Sequence, residues 1–406
     1  MSVRAAPKTS TARYVLILGG LSAFAPLSID MYLPALPTMA GSLRSDDATL
    51  QLTLTTFVIG LAVGQLVIGP LSDTFGRRRP LIAGLVLFTV ASVLCALSPS
   101  AELLVAARGL QSLGAAAGIV IARAMVRDLF SGTAMTKFFS MLMLVSGVAP
   151  VLAPIAGGQL LRITSWRGVF VVLGVIGALL LIMTVLALPD PLPAANRRPA
   201  RFGSILRGYG DLLADRSFVG YALASGLMFA GLFAYISASS FVLQGVYGLS
   251  PQQYSLVFGA NGVGMVLASQ LNARLVGRLT ERTLLTAGLL TAVAAGLGLV
   301  LTSTLHLGLA GLLPALMILV SSIGVVMPNA SSLGLTGHPE TAGSASALLG
   351  VLQFVIGAAA TPLVSLGGTN SAVPMTVVMA GFSLAALAAF GTLTRRGGLR
   401  PLPVAG

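Results

Sequence analysis

Apolar residues run through this chain in long, unbroken stretches, and charge is confined almost entirely to the gaps between them. Read between charged and turn residues, the stretches fall near 14–38, 50–71, 80–97, 101–124, 138–161, 167–188, 217–243, 252–273, 283–305, 308–334, 342–366 and 374–394. Each is about twenty residues long, the length an α-helix needs to cross a hydrocarbon core roughly 30 Å thick. A transmembrane barrel would instead alternate polar and apolar positions over about ten residues. Only helices and closed barrels satisfy every backbone polar group in lipid, so the pattern predicts an all-α polytopic membrane protein of about twelve spans. The first stretch is longer than the apolar core of a secretory signal and reads as a span.

Composition narrows the alternatives. Of the 406 residues 56% are hydrophobic and 9% charged, against roughly 25% charged in ordinary soluble proteins. A water-soluble enzyme of this size would lack a surface. The single cysteine, Cys95, lies inside an apolar run, so the chain holds no internal disulfide or Cys/His metal spacing.

The net charge of +13 would suggest nucleic acid in a soluble protein. Here its placement gives orientation. With the N-terminus inside, the inner loops receive the groups Arg4–Arg13, Arg77–Arg79, Arg127–Lys137, Arg197–Arg216, Arg274–Arg282 and Arg395–Arg400. Only Arg44, Arg162 and Arg167 fall outside, while Arg108 and Arg123 lie within a span. Positive residues favour the cytoplasmic side; both termini are therefore expected there, and no nucleic-acid partner is needed to explain the charge.

The Pro-rich basic stretch 190–216, with Pro191, Pro193 and Pro199, separates a six-helix half at 1–189 from a second at 217–406. The halves repeat at a spacing of about 204 residues: the Arg77–Arg79 loop recurs around Arg278–Arg282, and Pro154, Gly157 and Gly158 recur as Pro362, Gly367 and Gly368. Two repeated bundles with a site at their interface is a transporter architecture.

Several motifs carry candidate chemistry. In PLSIDMYLPALP (26–37), Asp30 sits inside an apolar segment, where a carboxylate costs about 2.5–3.5 kcal/mol to insert. In ARGLQSLGAAAG (107–118), Arg108 is the other deep charge, with Gln111 one turn further in. At 1.5 Å per residue both lie about 6–7 Å outside the bilayer midplane, a shared level that permits pairing or coupling through water. GPLSDTFGRRR (69–79) supplies Gly69 and Gly76 for a tight turn and Asp73 and Arg77 for an ion pair; Asp128, at the inner end of span four, lies at the same level. These residues form a candidate latch, with independent solvated charges as the alternative. GVAPVLAPIAGG (147–158) brings Pro150, Pro154, Gly157 and Gly158 into span five for bending or close packing. Pocket candidates are Phe24, Tyr32, Phe57, Gln65, Phe229, Phe233, Tyr235, Asn261, Gln270, Asn329, Gln353 and Phe354. No nucleophile–base or metal constellation lies within the spans.

These segments resemble the major facilitator superfamily. The 69–79 loop matches its signature G-x-L-[AS]-D-x-x-G-R-R, although the second-half loop lacks the Asp. The 147–158 segment resembles the motif of its antiporter branch, with Ala153 in place of a Gly. PLSIDMYLPALP, RGLQSLGAAAG, VRDLF, APVLAPIAGG and, in the second half, ASGLMFAGLFAYISAS resemble the Bcr/CflA drug-resistance branch. The resemblance implies drug/proton antiport in a bacterial inner membrane, with bicyclomycin, chloramphenicol-type and sulfonamide compounds as substrate classes. It implies a chain that works as a monomer, with protons as coupling ion and no other cofactor. A proton-coupled symporter for uptake of a small metabolite is the alternative.

Overall fold

The computed structural model describes residues 8–192, 197, 202–338 and 341–394. Twelve helices are long and apolar enough to cross a membrane. Spans 1 to 6 are Arg13–Leu43, Asp47–Phe75, Arg78–Leu97, Ala101–Leu129, Gly132–Leu160 and Trp166–Ala187. Spans 7 to 12 are Arg216–Val246, Pro251–Leu275, Glu281–Thr304, Gly308–Thr336, Ser344–Ser365 and Val373–Leu393. No strand occurs among the described residues. The all-α reading and the number of spans therefore hold. Of the basic loop residues, Arg4, Arg198, Arg201, Arg395, Arg396 and Arg400 lie outside the described set, as do Pro193 and Pro199.

The burial pattern is that of a protein solvated by lipid. Span 6 exposes Val171, Val175, Leu179, Ile182 and Leu186 along one stripe, while Phe170, Leu173, Leu180 and Thr184 on other faces are buried. Those outward positions follow the 3.6-residue period, but both faces are apolar, because the surrounding solvent is hydrocarbon rather than water. Helices in lipid gain little from hydrophobic association and rely on close packing of small residues. A Cβ on Gly84 would overlap Ala117 and one on Gly64 would crowd Ala116, so spans 2, 3 and 4 meet nearly backbone to backbone.

Three spans are irregular. Span 1 is α-helical to Asp30, passes through a 3₁₀ turn at Leu33–Ala35 and resumes at Leu36–Leu43. Span 7 ends in a π-helical turn, Phe241–Val246. Span 11 is interrupted at Ala359 between Ala342–Ala358 and Ala360–Ser365. Pro34 and Pro37 supply a local cause in span 1, since neither can donate to the helical ladder.

By compactness the chain forms two units. One comprises Met1–Phe202 with Phe233–Val263 and Ala358–Met375; the other comprises Gly203–Leu232, Gly264–Gly357 and Thr376–Gly406. Within the stretch read as a linker the structure places a helix, Phe202–Ala214. Its Leu212 joins Phe218, Ala222, Ala345, Leu348 and Leu349 in the core of the second unit.

Candidate functional site

Arg108 is fully buried in the middle of the first unit. Its helix aims the guanidinium at Gln111 one turn on, and Nη1 donates to Gln111 Oε1 at 2.5 Å. Nη2 donates to the Ser28 carbonyl at 2.9 Å. The plane is covered by aromatic faces: Phe57 at 4.1 Å, Tyr32 at 4.5 Å and Phe170 at 5.8 Å from their ring centroids. Gln111 in turn donates to Ser92 Oγ at 2.8 Å. Cation–π contact is strongest where water is excluded, so a cation without a carboxylate is accommodated here by neutral groups.

Asp30 has the opposite surroundings. It is 4% exposed and makes no hydrogen bond or ion pair among the described residues. The phenols of Tyr235 and Tyr254 lie within its electrostatic reach. Tyr235 accepts from Asn261 Nδ2 at 2.9 Å, and the Tyr254 hydroxyl meets Ser239 Oγ at 3.1 Å. The shared level expected of Asp30 and Arg108 does not become a contact. Arg108 reaches span 1 at the main-chain carbonyl of Ser28, two residues before Asp30. Which group of span 1 it meets was not readable in the sequence.

The break in span 1 beyond Asp30 is held from several sides. Tyr32 shares a hydrogen bond with Thr53 at 2.8 Å. Ser240 donates to the Leu33 carbonyl at 2.5 Å and Gln244 to the Pro34 carbonyl at 3.1 Å. The Leu33 carbonyl also takes the Leu36 N–H, so Ser240, at the end of the α-helical part of span 7, is a second donor there, and Gln244 reaches Pro34 from the π-turn. Pro150 and Pro154 lie inside span 5. A Cβ at Gly157 would overlap the Met31 carbonyl, and one at Gly158 would crowd Ser255. Gln252 also donates to the Gly158 carbonyl at 2.7 Å. The Gly pair thus permits close approach beside Asp30.

At the basic end of the first unit, Arg77 is gripped by two carboxylates. It bonds Asp73 Oδ1, Asp128 Oδ2 at 2.7 Å, and Ser72 Oγ at 2.7 Å. Burial would lower the Arg77 pKa, but the two carboxylates outweigh it and hold the guanidinium above its ordinary value. Gly76 sits at φ +85°, and a side chain there would collide with Asp190. Asp190 accepts the Arg77 backbone N–H at 3.1 Å and Arg197 Nη2 at 3.3 Å. Sequence reading found Asp73, Arg77 and Asp128 but missed Ser72 and Asp190. Gly69 serves no turn: it lies within the helical part of span 2, and a Cβ there would meet nothing within 4 Å.

The remaining pocket candidates scatter. Phe24 stacks on Phe88 at 4.2 Å, and Phe233 is buried. In the second unit Phe229 meets Phe354 edge to face at 5.5 Å, and Asn329 donates to Asn272 at 2.6 Å. Gln65 and Gln353 are half-buried and Gln270 is exposed. Phe170, Tyr254 and Ser240 enter the site without having been singled out, because aromatic and hydroxyl residues are common throughout the spans.

The Major Facilitator Superfamily sequence profile matches residues 18–362. An uncharacterised MFS-type transporter, YdgK, of Bacillus subtilis is 42% identical over 93% of this chain and 94% of its own. A bicyclomycin resistance protein homologue of Haemophilus influenzae is 33% identical over 95% of this chain and 97% of its own. Among solved structures, an inward-facing, occupied bacterial homologue of the human lysosomal transporter Spinster superposes with a TM-score of 0.79 at 16% identity. The match covers 96% of this chain and 98% of that one, a likeness of fold. The chain belongs to the Major Facilitator Superfamily, within its drug-resistance branch, and is a multi-pass membrane transporter rather than an enzyme.

Proposed function

We propose that this transporter exports small drugs in exchange for protons, with Asp30 as the proton carrier. One observation carries the reading: a buried carboxylate without a hydrogen-bond or ion-pair partner among the described residues, in a membrane span of a drug-resistance-branch chain. Buried charges are normally paired or neutralised. A carboxylate left without a counterion is free to exchange a proton with whichever side has water access. Its setting supports coupling to movement, since the chain just beyond it is a broken helix fastened to span 7 through Ser240 and Gln244.

In this cycle the halves rock about Asp30. Drug displaces the proton on one side, and protonation on the other releases the drug. One proton moving through 100 mV contributes about 2.3 kcal/mol, equivalent to a roughly fifty-fold concentration ratio for a neutral drug. Arg108 braces the first unit and orders Tyr32 and Phe57. The Asp73–Arg77–Asp128 cluster biases the balance of states, and the Pro/Gly segment of span 5 packs the carrier region. Bicyclomycin, chloramphenicol-type and sulfonamide compounds are the substrate classes. The bilayer is a bacterial inner membrane with the basic end and both termini cytoplasmic. The chain acts as a monomer, with protons its only coupling ion and no nucleic-acid partner.

Drug-induced proton release from proteoliposomes tests this. The wild type should acidify its surroundings on drug addition, and Asp30→Asn should not. Proton release by Asp30→Asn at equal protein would overturn the carrier assignment. Drug and proton moving in the same direction in everted vesicles would favour the uptake alternative.

A further inference from the structure

We infer that the second unit carries a binding site for one anionic phospholipid, in a groove between spans 8, 9 and 10. A cavity of about 350 Å³ lies there, bounded by Ala268, Leu275, Leu284, Gly288, Thr291 and Ile318. It spans about two helical turns, since seven residues separate Ala268 from Leu275 and seven separate Leu284 from Thr291, roughly 10 Å at 1.5 Å per residue. Its walls are almost wholly apolar. Leu267, Leu271, Leu290 and Ile318 around it are exposed, so the groove belongs to a hydrocarbon-facing surface. An unfilled apolar groove loses dispersion contacts along its whole lining, and an acyl chain is the surrounding molecule of matching shape and polarity.

The basic end of the groove chooses among lipids. Leu275, at its edge, is followed by a tight turn in which Arg278 N and Leu279 N both donate to the Leu275 carbonyl, at 3.0 and 2.9 Å. Gly277 at φ +92° closes the turn. Arg274 thus directly precedes the lining residue Leu275, and the Arg278 backbone is bonded to it. Both are exposed and neither has a carboxylate partner among the described residues. The other charges of the turn are engaged inward. Arg282 donates to Tyr221, to the Thr394 carbonyl and to Thr394 Oγ1, and it covers Phe390. Glu281 accepts from Ser332. Two exposed arginines at the basic end of an apolar groove match a phosphate headgroup above an acyl chain, and basic residues at a membrane surface attract anionic lipid. Spans 2, 3 and 4 of the first half, by contrast, close on one another through glycines.

The test is native mass spectrometry of the full chain, delipidated and then titrated with dioleoyl-phosphatidylglycerol or dioleoyl-phosphatidylcholine. The wild type should retain one phosphatidylglycerol in preference to phosphatidylcholine. Arg274→Gln with Arg278→Gln should weaken that retention roughly twenty-five-fold, about five-fold per guanidinium. Ala268→Phe, which fills the groove, should weaken both lipids alike. Glycerol 3-phosphate, the headgroup without a chain, should not displace the lipid. Loss in the arginine variant alone, with Ala268→Phe unchanged, would reduce the site to surface charge and overturn it. Loss with Ala268→Phe alone, displacement by glycerol 3-phosphate, or equal retention by all proteins would overturn it too. Both arginines are exposed, Arg274 at the end of span 8 and Arg278 in the turn after it, so those variants keep the test readable if Ala268→Phe does not fold.

Discussion

Spans 1 and 4 each bury one charge, and the two charges end in opposite states. Around Arg108 each donor direction but Nε finds an acceptor or a ring. Around Asp30 the carboxylate faces phenols that are already engaged with Asn261 and Ser239. A saturated charge is part of the architecture: moving it breaks several contacts at once. An unpaired one can change protonation at little structural expense. The difference separates a charge held by its neighbours from one that is not, where the sequence permitted pairing or coupling through water.

Breaking the mobile side should have the largest effect. Asp30→Asn should abolish drug-driven proton movement while leaving the melting temperature of the purified protein close to wild type, because no hydrogen bond depends on the carboxylate. A large drop in melting temperature would mean that Asp30 is structural after all.

On the fixed side, Arg108→Ala should lower stability by about 3 kcal/mol, since it leaves the Gln111 amide and Ser28 carbonyl unsatisfied and opens a void beneath three rings. Arg108→Lys keeps the charge but loses the planar fork, and should recover only part of that loss in a thermal unfolding assay. The pH midpoint of residual transport should not move in Arg108→Ala. Withdrawing a cation from near a carboxylate raises the carboxylate's pKa. An upward shift of the midpoint would therefore show that the two charges meet elsewhere in the cycle.

The cluster at the basic end gives an intermediate case. Asp128 is 20% exposed and Asp73 54%, so the two carboxylates should not be equal. Asp128→Asn should cost about 2 kcal/mol, the range for a charged hydrogen bond; Asp73→Asn should cost under about 1 kcal/mol, as exposed pairs do. In a double-mutant cycle of thermal stability the two should be non-additive, because both act through Arg77. Independent losses would dissolve the cluster into separate surface charges.

Tyr235→Phe should have the smallest effect, about 1 kcal/mol for the lost bond to Asn261. It should nevertheless change the pH dependence of transport if the phenol borders the carrier, whereas Phe24→Leu, beside Phe88, should not.

The spans, the basic asymmetry and the signature loop were all written in the sequence, since each depends only on composition within about twenty residues. Lipid demands continuous apolar runs, and those are visible without knowing any neighbour. That Asp30 and Arg108 are buried was also legible, because each stands inside an apolar run. Tertiary structure alone decided what each charge faces: Arg108 ends on the Ser28 main-chain carbonyl, among Phe57, Tyr32 and Phe170, rather than on the Asp30 carboxylate. It decided equally that Asp190, more than a hundred residues away, caps the turn at Gly76, and that a helix forms in the stretch read as a linker once Leu212 has a core to enter. Contacts between segments distant along the chain leave no local pattern; they exist only when the bundle brings the segments together.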